Sequence, residues 1–203
     1  MLLLDYGHGG ILNGKYQTSG KQYHFTSGLS VYEGVINRQV AIELARLAMQ
    51  DGHEVIDVLT GKQFNINQVE NRDIPLATRV SNANKYKGVY ISLHADAAGN
   101  TSTGSGHNAT GGTIYTSIGD TGADKIADSI AKSMAQVVHV RRDLKDNDWD
   151  MEADFYVLKK THMPAVLIEM GFFTNEEEAR RLLDTVHQQA LALAIYDALR
   201  ACL

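Results

Sequence analysis

His8, His94 and Glu169 each stand at or just beyond the end of a short apolar run, and together they have the chemistry to bind a metal ion or move a proton. Leu2-Leu3-Leu4 leads into Asp5-Tyr6-Gly7-His8, Val89-Tyr90-Ile91-Ser92-Leu93 ends on His94, and Ala165-Val166-Leu167-Ile168 ends on Glu169. Such runs, bounded by glycine or polar residues, read as buried parallel strands. In open α/β sheets, sites form just beyond the carboxyl ends of such strands. Residues far apart in sequence are therefore expected to meet in one cleft.

Taken singly, these residues admit different readings. His8 lies in Gly7-His8-Gly9-Gly10, where glycine allows unusual backbone angles and leaves space around the imidazole; a turn histidine at a strand end has the same signature. His94 alone reads more readily as a satisfied core histidine. Glu169 lies between Ile168 and Met170-Gly171-Phe172-Phe173, where a carboxylate is costly to bury without a partner, and it reads as functional. Glu33 lies near the start of the first long helix, where the dipole favours its charge. Alone it is a solvated first-turn acid, and it becomes a ligand only as a member of a metal site. Asn37, four residues on, shares its helical face and is placed to orient the Glu33 carboxylate.

The elements that must position these residues alternate along the chain. A strand at about residues 1–5 leads into a Gly/Ser/Thr/Tyr-rich loop through Ser30. A helix from Tyr32 or Glu33 to Gln50 ends at Asp51-Gly52. A strand follows at 54–59, then a helix at 75–86 with Pro75 near its first turn, and the strand ending at His94. A loop at 97–111, a strand at 113–116, a helix at 122–138 and a polar, irregular stretch at 141–154 come next. After the strand ending at Glu169, two helices are expected near 175–184 and 186–201. This alternation predicts a single α/β domain with a mainly parallel twisted sheet and helices on both faces. No linker or repeat divides the chain.

Composition narrows the function classes. The chain has 203 residues, of which 44% are hydrophobic and 21% charged, enough for one full core. A net charge of −5 argues against a general nucleic-acid binder. The only cysteine is Cys202, so no intramolecular disulfide and no cysteine-based zinc site can form, and any metal must be held by His, Asp or Glu. Met1-Leu2-Leu3-Leu4 is too short for a signal-peptide core, and no apolar stretch approaches the roughly 20 residues of a spanning helix. The expectation is a protein without membrane insertion, whose synthesis begins in the cytoplasm if this is the whole natural chain.

Four segments in order resemble the zinc-dependent N-acetylmuramoyl-L-alanine amidases of the Amidase_3 family: Leu4-Asp5-Tyr6-Gly7-His8-Gly9-Gly10, Glu33-Gly34-Val35-Ile36-Asn37, Ser92-Leu93-His94-Ala95-Asp96 and Val166-Leu167-Ile168-Glu169-Met170-Gly171-Phe172. Supporting pieces are Leu76-Ala77-Thr78-Arg79 with Ala83-Asn84, Gly112-Thr113-Ile114-Tyr115, and Phe155-Tyr156-Val157-Leu158 before Pro164. The resemblance implies that residues 1–203 are an amidase catalytic domain, that His8, Glu33 and His94 hold Zn²⁺, and that Glu169 is the catalytic acid/base. It implies cleavage between N-acetylmuramic acid and the L-alanine of the peptidoglycan stem, by a phage or prophage lysin or a bacterial autolysin acting on the cell wall.

The chain departs from the family at Tyr6, where proline is usual, so the turn into His8 is expected to differ. The segment Ile11–Ser30, with Tyr16, Tyr23, His24 and Phe25, is also idiosyncratic; it either contacts glycan or peptide or is a surface insertion. His24 and His107 lie in polar loops and are not expected to ligate metal. Some relatives carry an autoinhibitory helix between the second histidine and the catalytic glutamate; no room for one is visible here, which predicts an open site with no obligatory protein partner. Two other functions remain in view: a zinc peptidase or carboxypeptidase acting on wall peptides, and a non-catalytic wall-binding domain.

Overall fold

The computed structural model describes residues 1–99, 101–143 and 148–203. In chain order the elements are β1 (Leu2–Tyr6), β2 (Ile11–Leu12), β3 (Lys15–Tyr16), β4 (Gln22–Phe25), β5 (Ser30–Tyr32), α1 (Glu33–Gln50), β6 (Val55–Asp57), β7 (Lys62–Gln63) and α2 (Leu76–Ala83). They continue with β8 (Val89–Asp96), β9 (Thr103–Gly104), β10 (Thr113–Thr116), α3 (Asp124–Met134), β11 (Asp150–Glu152), α4 (Tyr156–Lys160), β12 (Ala165–Phe172), α5 (Glu176–Leu183) and α6 (Thr185–Leu199).

A seven-stranded sheet runs in the order β11-β10-β12-β8-β1-β6-β7. The central neighbours β12, β8, β1 and β6 are parallel, while β10 is antiparallel to β12 and β7 to β6. All five residues of β1 are buried, as the continuous apolar pattern of a covered parallel strand requires. Side chains alternate across such a strand. Asp5 meets Arg79 of α2, whereas its neighbour Tyr6 lies under Arg38 of α1, so helices cover both faces as expected. α1 buries Ile36, Val40, Ala41, Leu44, Ala45 and Ala48, a stripe of helical period. It ends where Gly52, at φ 84°, turns the chain.

Several boundaries differ from the sequence reading. β8 and β12 do not stop at His94 and Glu169, because ladder pairing continues through His94↔Glu169 to Asp96↔Phe172. The segment 11–30 is not a plain loop: it forms the hairpin β2–β3 and, with β5, the hairpin β4–β5. β4 also pairs with β9, inside the expected 97–111 loop, to make a three-stranded sheet. The 141–154 stretch contains β11, and its residues 144–147 lie outside the described residues. α4 was not foreseen; α1 has the expected bounds, α2, α3 and α5 are one to four residues shorter at each end than their patterns suggest, and α6 begins one residue earlier and ends two sooner. No helix among the described residues is long and apolar enough to cross a membrane.

Candidate metal centre

The three strand-end residues do converge, and the first residue of α1 joins them. His8 lies two residues past the end of β1 and sits at φ 65°, in the left-handed region that side chains other than glycine seldom occupy. The surrounding structure holds it there. Gly7 N–H donates to Leu93 O at 3.0 Å, Asn37 Nδ2 donates to Gly7 O at 3.1 Å, and Arg38 Nη2 donates to His8 O at 2.9 Å. Gly7 must be glycine, since a Cβ there would fall 2.0 Å from the His94 ring. Gly34 is constrained likewise, because its Cβ would stand 2.0 Å from Gly9 O. The first turn of α1 is thereby pressed against the turn that carries His8.

Glu33 is the hub. Its Oε1 lies 3.2 Å from His8 Nε2 and 3.0 Å from His94 Nδ1, and Ala95 N–H donates to the same oxygen at 3.3 Å. The two imidazoles stand edge to face, 4.9 Å between centroids. The Glu33 side chain is fully buried, while those of His8 and His94 are 18% and 15% exposed, so the imidazoles border solvent. Burial works against the Glu33 charge, but the close approach and Coulomb attraction of both imidazoles hold its carboxyl well below the usual range. Burial also drives His8 down, outweighing Glu33. For His94, burial is outweighed by Glu33, with Glu169 and Asp5 adding to it, and the net direction is upward.

Ligand atoms of His8, Glu33 and His94 all lie within 4.8 Å of one another. His8 Nε2 and Glu33 Oε2 are buried without a hydrogen-bond partner. Two imidazoles and a carboxylate drawn this close, with one ring nitrogen unsatisfied, suit a divalent cation such as zinc. Among the described residues another group, Asp128, Asp148 and Asp150, is also close enough, but it is purely acidic, and Asp150 Oδ2 already accepts from Thr116 at 2.5 Å.

Glu169 stands beside His94, in register on the adjoining strand, with Thr113 in register on its other side. Its Oε2 is buried and unpaired. Burial, reinforced by the charges of Glu33 and Asp96 and only partly opposed by His94, pushes its carboxyl up to about 8. A carboxyl of that affinity holds or releases a proton near neutrality.

Asn37 corrects one expectation. It shares the Glu33 face of α1, but its amide reaches the Gly7 carbonyl and so acts on the turn before His8. Tyr6 does not form a turn; it completes β1, and Glu70 N–H donates to its hydroxyl at 3.2 Å. His24 bonds Ser30 Oγ at 2.9 Å and His107 Nδ1 accepts from Ala109 N–H at 3.0 Å, both outside the metal group. Sequence reasoning missed Arg38, which also donates to Gly34 O and Glu70 O at 2.7 and 2.9 Å, and Lys21, whose Nζ lies 3.5 Å from Glu33 Oε2. The i,i+4 spacing of Gly34 and Arg38 was visible; nothing local pointed to Lys21.

The family described as N-acetylmuramoyl-L-alanine amidase, Amidase_3, matches residues 2–201. The chain is 28% identical over 205 aligned positions to the probable cell wall amidase LytH of Staphylococcus aureus, covering 98% of this chain and 57% of that protein. It thus spans little more than half the length of the curated relatives it matches. The fold superimposes on an N-acetylmuramoyl-L-alanine amidase from Clostridium difficile 630 with a TM-score of 0.75 and 26% identity, covering 98% of this chain and 94% of that one. The catalytic domain of the CD27L endolysin targeting Clostridia Difficile shares the fold at a TM-score of 0.63 and 18% identity, covering 98% and 96% of the two chains.

Proposed function

This chain belongs to the Amidase_3 family of N-acetylmuramoyl-L-alanine amidases, and from that we propose that residues 1–203 form an amidase catalytic domain. It hydrolyses the amide between the lactyl carbonyl of N-acetylmuramic acid and L-alanine of the peptidoglycan stem. The observation that carries this reading is the convergence of His8, Glu33 and His94 on one point, with the unpaired Glu169 carboxyl on the next strand.

His8, Glu33 and His94 are the zinc ligands in this reading, and Glu169 is the catalytic acid/base. When bound, zinc supplies Lewis acidity, bringing the pKa of a water toward neutrality and stabilising negative charge that develops on the amide oxygen. Glu169 accepts the proton of the attacking water as its oxygen bonds to the lactyl carbon. It then delivers that proton to the nitrogen of L-alanine as the C–N bond breaks, leaving a carboxyl on the sugar side and a free amine on the peptide. Burial suits Glu169 to this exchange by bringing its proton affinity into the neutral range. Asn37 and Arg38 donate to the backbone carbonyls of Gly7 and His8, which holds the turn that presents the imidazole.

The protein acts on the cell wall as the catalytic domain of a lysin or autolysin. It needs no obligatory protein partner, since both imidazoles already border solvent. Digestion of purified peptidoglycan with mass analysis of the soluble products is the test. An amidase releases intact stem peptides that begin with a free L-alanine amine; a chelator abolishes this release and Zn²⁺ restores it. Fragments cut within the stem would identify a peptidase, and binding without release a non-catalytic wall module; either would overturn the proposal.

A further inference from the structure

We propose that Lys21 is a positioning residue that restricts Glu33 to a single ligating oxygen. The inference rests on the metal-centre reading above. The Glu33 carboxylate is asymmetric in its surroundings: Oε1 faces His8, His94 and the Ala95 N–H, while Oε2 faces the Lys21 ammonium at 3.5 Å and accepts no hydrogen bond. A lysine ammonium is a compact point charge on a flexible stem, and here it stands against Oε2, while the imidazoles approach Oε1.

The position of Lys21 is built in. Its carbonyl accepts from Glu33 N–H at 3.0 Å and from the Tyr16 hydroxyl at 2.9 Å. The same Tyr16 oxygen accepts from Gly34 N–H at 3.0 Å. The helix N-cap residue, Tyr32, makes no side-chain cap, so the idiosyncratic 11–30 segment satisfies the first N–H groups of α1 instead. That segment thereby delivers Lys21 to the acid that α1 presents. Its role is more specific than a surface insertion: it caps the ligand-bearing helix and occupies the second oxygen of the ligand.

If Oε2 is held by Lys21, the metal keeps three protein ligands and an open position. If Lys21 is removed, Oε2 is free to bind as well, and a nearby positive charge that opposes the cation is gone. Lys21→Met is therefore expected to bind metal severalfold more tightly than the parent, the opposite sign to the loss that follows removal of a partner which only orients a ligand. Mere structural damage would weaken binding instead.

The full chain loaded with Co²⁺ in place of zinc gives the decisive readout, because four-coordinate Co²⁺ absorbs visible light more strongly than five-coordinate Co²⁺. The parent and Lys21→Arg are expected to show intense four-coordinate bands, and Lys21→Met weaker bands together with tighter binding. The Lys21 side chain is 42% exposed, so both variants should melt close to the parent; if Lys21→Met does not fold, Lys21→Gln serves the same comparison. Unchanged bands in the folded Lys21→Met or Lys21→Gln protein overturn the inference, as does weakened binding shared with Lys21→Arg. A parent chain that takes up no metal overturns the metal-centre reading itself.

Discussion

Two polar clusters lie on the same face of the sheet, one pleat apart along β1 and β8, and they are built in opposite ways. The deeper one is saturated. Asp5 Oδ1 accepts from Arg79 Nη1 at 2.7 Å, and Asp5 Oδ2 accepts from Tyr90 and Ser92 hydroxyls at 2.7 and 3.0 Å. Arg79 is itself satisfied further by Ile74 O and Asp73 Oδ1 at 2.7 and 3.1 Å. Two residues on, where Gly7 and His94 follow Asp5 and Ser92, the cluster is incomplete: His8 Nε2, Glu169 Oε2 and Thr113 Oγ1 are buried with no hydrogen-bond partner. Burying an unsatisfied polar atom is costly. A fold that saturates Asp5 and leaves its neighbour open separates a structural network from the candidate metal centre.

The largest effect that could break this contrast is at Glu169. Glu169→Ala is expected to lower release of stem peptides by about 10²–10⁴-fold, the usual contribution of a positioned acid/base, with metal content unchanged. Because the lost carboxyl had no hydrogen-bond partner at Oε2, stability should hold or rise. Product masses give the first quantity and chemical denaturation the second. A Glu169→Ala protein that is destabilised but fully active would move Glu169 into the structural cluster and end the distinction.

Arg79 should behave the other way round. Arg79→Met leaves Asp5 buried without its counter-ion, a change that typically costs about 3–5 kcal/mol. The denaturation midpoint should fall accordingly, while the protein that remains folded keeps most of its metal affinity. Adding Asp5→Leu removes the stranded charge and should recover much of the loss. If Arg79→Met instead abolished metal binding at unchanged stability, the deeper cluster would be part of the site rather than its support.

The parts of this architecture that the sequence made legible are those encoded locally. β1, β8 and β12 announced themselves as apolar runs because each is covered on both faces, and their ends located three of the four site residues. The runs could not show that pairing continues past His94 and Glu169, since backbone hydrogen bonds are indifferent to side-chain polarity. β7, β9 and β11 have two or three residues each, too few to establish a period. β4 had a usable signal in Tyr23 and Phe25, which alternate inward, but the surrounding Gly and Ser residues masked it. Glu33 needed the family resemblance, because a first-turn acid is ordinarily a solvated one. Asn37 was placed on the correct helical face and given the wrong partner. Lys21 was invisible: only the capping of α1 by a distant segment brings it to Glu33.

The most direct comparison is a difference in pH dependence between the two buried carboxyls. Burial raises Asp5, but Arg79, His94 and Tyr90 outweigh it and hold the carboxyl below its ordinary 3.8. Its stabilising contribution is therefore complete above pH 3.8 and lost as pH falls through the lower folded value. Glu169 is raised from 4.5 to about 8, so the folded protein binds its proton more tightly than the unfolded chain does. Stability from this group is complete below pH 4.5 and declines as pH climbs toward 8. Melting curves of metal-free protein between pH 5 and pH 8 isolate the second term when Glu169→Gln is the reference: the parent should lose stability relative to the variant as pH rises. Adding Zn²⁺ should shrink that slope, because a nearby cation favours the ionised carboxylate. Parallel curves for the two proteins would mean that Glu169 titrates normally, and its unpaired oxygen would no longer set it apart from Asp5.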